Sequence, residues 1–217
     1  MESREAIRRK IVLAAIDILN SEGVSGITTR RIAEKAEVNS AAVNYYYGSK
    51  ENLIDHALNM TLEHVFNDWK MILDIKELDI PVRIYCLLDF TMEGILKYPG
   101  IVHSHLFDPM VKEKTRKAFA EKTDSLLDML SVMLEERIPQ TRETLRLSLG
   151  QILLTVMSAA MIPELFKAIT KDDITITQAR SRFILYLLKR FLDVQLTLTD
   201  VIKSDIARVR KQAFTGD

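Results

Sequence analysis

The sequence predicts an all-α protein, and three observations carry that expectation. Glycine and proline are scarce, 7 and 5 of 217 residues, although these are the residues that punctuate turns and weaken helices. Apolar side chains recur at three- and four-residue intervals through most of the chain, the spacing that lines one face of a helix. No run has strand character, and no internal repeat or low-complexity segment interrupts the pattern. Hydrophobic residues make up 47% of the chain, which excludes an intrinsically disordered protein. The length suits one large domain or two small ones with a core that needs no staples. The single cysteine excludes an internal disulfide and a cysteine-based zinc site. Lys+Arg and Asp+Glu both total 30, so no global field draws the chain to polyanions. Any such binding has to come from a local surface.

The first helix is expected from about Ser3 to Ser21, with Ile7, Ile11, Ala14, Ala15, Ile18 and Leu19 in one stripe, and Gly23 ends it. Thr28 and Thr29 offer hydroxyl caps to a short helix whose inward positions are Ile32, Ala33 and Ala36. Glu37-Val38-Asn39 forms a three-residue turn, and Ser40 begins a second short helix with Val43 and Tyr46 or Tyr47 inward. Gly48 breaks it, and Ser49 caps a long helix from Lys50 to about Leu73. Pro81 suits the first turn of the next, which runs to about Tyr98, and Pro99-Gly100 opens a shorter one through Phe107. Further helices are expected from Asp108-Pro109 to Arg137, from Pro139 to Met161, from Ile176 to Leu196, and from Asp200 to Phe214. The run from Leu147 to Ile162 carries no charge and approaches membrane-spanning length. Its serines, threonine and glutamine, with no second such run, favour a helix buried in a protein assembly.

The helices near Leu145–Met161 and Ala179–Val194 are apolar nearly all round, so each is expected to face its own core on one side and a partner on the other. Leu149, Leu153, Met157, Phe183, Tyr186, Leu187 and Arg190 are the candidate residues of a homodimer interface, two helices from each copy forming a four-helix bundle.

Two short helices joined by three residues and braced by a preceding amphipathic helix describe a helix-turn-helix. In such a unit the first short helix offers N–H groups and the hydroxyls of Thr28 and Thr29 to a phosphate, beside Arg30. The second enters the major groove and needs small polar residues at its leading end, as Asn39, Ser40 and Ala41 provide. Asn39 or Asn44 can pair with adenine N6/N7. Tyr45 and Tyr46 offer hydroxyls to phosphates, and Lys50 adds a cation. Thr29 and Ser40 also serve as plain helix caps, and Tyr47 as a core aromatic. Within residues 28–50, Arg30, Arg31, Lys35 and Lys50 oppose Glu34 and Glu37, an excess of two positive charges.

The segment Ile27-Thr28-Thr29-x-x-Ile32-Ala33-x-x-Ala36-x-Val38, followed by Val43-x-Tyr45-x-Tyr47-x-Ser49-Lys50-Glu51-x-Leu53, resembles the TetR/AcrR family of transcriptional regulators. Its patterns are T-T-x-x-I-A-x-x-A-G-V-S and L-Y-x-H-F-x-S-K-E-x-L, and the likeness covers about the first 55 residues. Glu37 stands where the family has glycine, Asn44 where it has tyrosine, and Tyr46 and Tyr47 where it has His-Phe. The resemblance implies a DNA-binding domain over residues 1–49 and a helical ligand-binding and dimerisation domain over 50–217, with 50–73 as the linking helix. It implies a cytoplasmic homodimer on a palindromic operator, acting as a repressor whose affinity for double-stranded DNA a small molecule modulates.

Candidate pocket residues are Tyr85, Cys86, Asp89, Glu93, His103, His105, Phe107, Met110, Met157 and Met161, methionine-rich as suits adaptable apolar ligands. Asp89 or Glu93 facing inward would favour a cationic ligand. His103 and His105 diverge on a regular helix and cannot chelate one ion, so no metal and no cofactor is expected. No phosphate loop, nucleophile elbow or metal-binding helix pair marks an enzyme. Charged residues follow Met1 directly, so no secretory leader is expected.

Overall fold

The computed structural model describes residues 3–108 and 111–196. Within them all regular elements are helical: α1 Arg4–Glu22, a 3-10 turn Val24–Gly26, α2 Thr29–Lys35, α3 Ser40–Tyr47, α4 Lys50–Leu73, α5 Ile80–Lys97, α6 Pro99–Phe107, α7 Glu113–Glu135, α8 Arg142–Met161, α9 Pro163–Thr170 and α10 Thr177–Leu192. The helix expected over Asp200–Phe214 lies outside the described residues. The expected start at Asp108-Pro109 moves to Glu113 in α7, and the helix expected to reach Leu196 ends at Leu192, where Asp193 turns left-handed. Pro163 opens α9 at its first position, where its missing N–H costs nothing.

The chain packs as two compact units, one within Met1–Val65 and Tyr98–Glu121, the other within Phe66–Lys97 and Lys122–Asp217. In the first, Ile11, Ala15 and Leu19 of α1 meet Ile32 of α2, Val43 of α3 and Leu53, Ala57 and Leu58 of α4, and Ile101 and Val111 close the cluster. The apolar stripe read along the first helix is the buried one.

Contact between α1 and α6 is unusually close at Gly100. A Cβ there would lie 2.2 Å from the Asn20 carbonyl oxygen and 2.6 Å from that of Leu19. Only backbone fits between the two helices at this point, and neither carbonyl can swing away as a side chain would. Gly100→Ala is therefore expected to destabilise the protein by about 2 kcal/mol through overpacking, read as a lower urea midpoint with an unchanged slope.

In the second unit α5 is the central helix. Val82 and every residue from Ile84 to Met92 are buried, and the helix packs against both α8 and α10. α8 and α10, each expected to face its own core on one side and a partner on the other, pack against α5 on one side. α8 is long and apolar enough to cross a membrane by length and composition, yet it buries one side, from Leu145 through Ile152 to Ala160, against these neighbours. The candidate interface residues divide between the two sides. Leu149, Leu153, Met157 and Leu187 are buried within the unit, because the side they occupy faces α5 and its neighbours. Phe183 is half-buried, edge-on to Phe166 with centroids 4.8 Å apart. Tyr186 and Arg190 are exposed. The apolar side chains that α8 turns outward are Leu147 and Leu154.

Candidate nucleic-acid interface

Thr28 and Asn39 set the two short helices of the first unit. The Thr28 hydroxyl accepts the Arg31 N–H at 3.2 Å, and Asn39 Oδ1 accepts the Ala42 N–H at 2.8 Å. Each is the N-cap of its helix. The capping role offered for Thr29 and Ser40 is thus filled one residue earlier, and both of those residues begin the helical turns.

Between the helices, α2 ends in a Schellman turn. The Val38 N–H bonds the Ala33 carbonyl at 2.9 Å and the Glu37 N–H bonds that of Glu34 at 3.2 Å. Glu37 adopts φ 55°, the left-handed conformation that accommodates glycine most easily. A glutamate there costs on the order of 1 kcal/mol, which explains physically why glycine is the residue of the family pattern at this place.

On α3, Val43 and Tyr47 are buried, while Ser40, Ala41, Asn44 and Tyr45 are exposed. These four positions fall on one helical face. Tyr45 is 71% exposed and stands edge-on to half-buried Tyr46, centroids 5.1 Å apart. Tyr47 turns inward; its hydroxyl donates to the Arg8 carbonyl at 2.9 Å, and burial holds its phenol above the usual pKa. Asn39 is exposed, but its carbonyl oxygen is occupied by the cap. A bidentate amide–adenine contact needs oxygen and nitrogen together, so Asn44 is the asparagine equipped to make one.

The local charge is smaller than the sequence suggests. Arg31 pairs with Glu22, and that contact holds the Glu22 carboxyl below its ordinary range. Lys35 lies 3.3 Å from Asp17. Exposed Arg30 and half-exposed Lys50 make no ion pair among the described residues. Ser49 caps α4 through the Asn52 N–H at 3.1 Å, which fixes Lys50 in its first turn.

The candidate pocket residues fall in different units. His103, His105 and Phe107 belong to the first, and Tyr85, Asp89, Glu93, Met157 and Met161 to the second; Met110 lies outside the described residues. His103 and Phe107 are exposed and His105 is buried. The His105 ring stacks on Phe119 and lies 3.3 Å from the Thr61 hydroxyl through Nε2. Tyr85 is buried, its hydroxyl 2.7 Å from that of Ser181, and Cys86 is buried beside it. Met157 is buried and Met161 half-buried. Asp89 faces inward, but the protein supplies the cation. Arg180, 4% exposed, donates from Nε to Asp89 at 2.9 Å and from an η nitrogen to Glu93 at 3.3 Å. The reading of an inward Asp89 as a sign of a cationic ligand is therefore overturned, and sequence reasoning missed Arg180 because a lone arginine in an apolar helix looks like an exposed one.

A helix-turn-helix with its second helix exposed and small at the leading end defines a class of bacterial regulatory proteins. Residues 11–57 match the model of "Bacterial regulatory proteins, tetR family". It is 38% identical over 50 residues to the probable HTH-type transcriptional regulator YttP of Bacillus subtilis, covering 23% of this chain and 24% of the relative. It is 40% identical over 45 residues to the tetracycline repressor protein class A from transposon 1721 of Escherichia coli, 21% of either chain. The match thus spans a quarter or less of these relatives' length. The whole fold is also shared. A transcriptional regulator from Rhodococcus sp. RHA1 superposes with TM-score 0.70 at 14% identity, over 88% of this chain and 97% of that one. FadR from Bacillus subtilis, in complex with stearoyl-CoA, does so with TM-score 0.63 at 14% identity, over 87% and 100%.

Proposed function

We propose that the protein is a sequence-specific DNA-binding transcriptional regulator acting as a cytoplasmic homodimer on a palindromic operator. The observation that carries this reading is the outward face of α3, where Ser40, Ala41, Asn44 and Tyr45 stand exposed behind a capped, sharply turned α2. Ala41 lets the backbone approach base edges, Asn44 reads a base, and Tyr45 reaches a phosphate. Thr29, Arg30, Lys50 and the free amide nitrogen of Asn39 anchor the flanking backbone. A homodimer places two such faces about 34–36 Å apart, one turn of DNA, and exposed Leu147, Leu154 and Tyr186 offer the second unit an apolar surface for pairing. Repression is the mode of the tetracycline repressors it resembles. A small-molecule effector shifts the dimer between DNA-competent and incompetent states by its differential affinity for them, and the stearoyl-CoA complex of FadR is a neighbour of this fold with a bound ligand.

Selection of genomic fragments on the purified protein tests the reading, with Asn44→Ala/Tyr45→Ala in parallel. A palindrome should be enriched, and the double variant should bind it about 5- to 150-fold more weakly, as loss of one base contact implies at about 1–3 kcal/mol. Equal binding by the variant would sink the assignment of α3 as the reading helix.

A further inference from the structure

The exposed face of α3 carries no cation, and two of the four cations around it are spent on Glu22 and Asp17. Affinity for duplex DNA depends chiefly on cations that neutralise phosphates, and the chain as a whole has no net charge. The charge has to come from elsewhere in the same unit. The first two turns of α1 hold it. Arg4, Arg8, Arg9 and Lys10 crowd there against Glu5 alone. All are exposed, and Arg4, Arg8 and Arg9 enter no ion pair among the described residues. Their position is fixed relative to the reading helix, because the Arg8 guanidinium lies 5.7 Å from the ring centroid of Tyr47, the last residue of α3. The Tyr47 hydroxyl is bonded to the Arg8 carbonyl. The opposite end of α1 is the one held against Gly100 of α6, so the basic turns sit at the end nearest α3.

We infer that the start of α1 is a second DNA-contacting surface, where Arg4, Arg8 and Arg9 bind the phosphate backbone flanking the site that α3 reads. Guanidinium groups suit this role, since each presents a planar fork of donors to a phosphate. The contact is blind to sequence. It raises affinity for every duplex alike, and so sets binding strength while α3 sets the choice of site. The inference rests on the regulator reading above.

The test titrates the full-length protein against two short duplexes, the selected operator and a scrambled sequence of the same composition, over a salt series. Arg4→Gln/Arg9→Gln removes charge without disturbing Arg8, which covers Tyr47. The slope of log K against log salt should become shallower by about 2–4 on both duplexes. Each lost phosphate contact removes about 0.9, and a dimer carries four of these arginines. The ratio of operator to scrambled affinity should stay unchanged, and Arg4→Lys/Arg9→Lys should restore the slope. Asn44→Ala should do the reverse, collapsing the ratio while keeping the slope. An arginine variant with the unaltered slope, alongside an Asn44→Ala effect on the ratio, overturns the α1 contact and leaves the regulator reading standing. Failure of the unaltered protein to bind either duplex overturns both.

Discussion

Arg180→Met is expected to cost the protein about 3–5 kcal/mol, the usual penalty for leaving one member of a buried ion pair without its partner. Asp89 is 1% exposed and its carboxylate faces the arginine at 2.9 Å. The same guanidinium also donates to the Ile174 carbonyl at 3.4 Å, so its removal strips the junction of α5 and α10 at several points. Glu93 is only half-buried, and water can solvate it once the arginine is gone. The penalty therefore belongs to Asp89. Replacing both charges, as Arg180→Met/Asp89→Leu, is expected to recover most of the loss, because two apolar side chains of similar volume owe no desolvation. Urea unfolding of the two variants beside the unaltered protein gives the answer. A double variant as unstable as the single one would show that packing, rather than an unpaired charge, is what Arg180 supplies.

Lowering the pH should destabilise the protein through His105. Burial pushes this imidazole down to about 4, and in the unfolded chain it returns to about 6.5. Between those values the unfolded state binds the proton more readily. His105 therefore costs nothing above about pH 6.5, and its contribution to stability is lost progressively as pH falls towards 4. The loss amounts to on the order of 3 kcal/mol. The buried Nδ1 has no hydrogen-bond partner, and the Leu58 backbone, which favours the charged ring, does not offset the burial. Carboxylates titrate over the lower part of the same range, and comparison with His105→Leu separates them. The variant should show a flatter dependence of the urea midpoint on pH between 6.5 and 4. A parallel dependence in both proteins would assign the effect to other groups.

The helices were legible in the sequence wherever one apolar stripe ran unbroken between clear caps, as in α1 and α4, whose expected and observed ends agree within a residue. Both short helices of the reading unit were legible too, since caps and turn residues are local signals. Which of two adjacent polar residues caps was not. Thr28 against Thr29, and Asn39 against Ser40, differ only in backbone dihedrals that composition does not encode. The second unit was harder. α5 and α8 have similar apolar content, and only tertiary packing decides which lies at the centre. Gly100 gave no signal at all, because a close approach between two backbones has no periodicity. The candidate contacts of α3 lie at or near the surface, while the basic turns of α1 lie outside the segment that carries the family pattern.

The first unit draws Ile101 and Val111 into the same core as Ile11 and Val43, and this has a consequence for synthesis. A nascent chain that has just finished α3 already contains every residue of the reading face, yet not the segment that completes the core beneath it. From residue 65 to residue 121 the ribosome needs roughly 3–11 s at usual rates. During that interval α1 and α4 carry an unfilled apolar seam, exposed to whatever meets the emerging chain. The end of the molecule that carries the helix-turn-helix, though made first, is finished only when more than half of the chain has been translated.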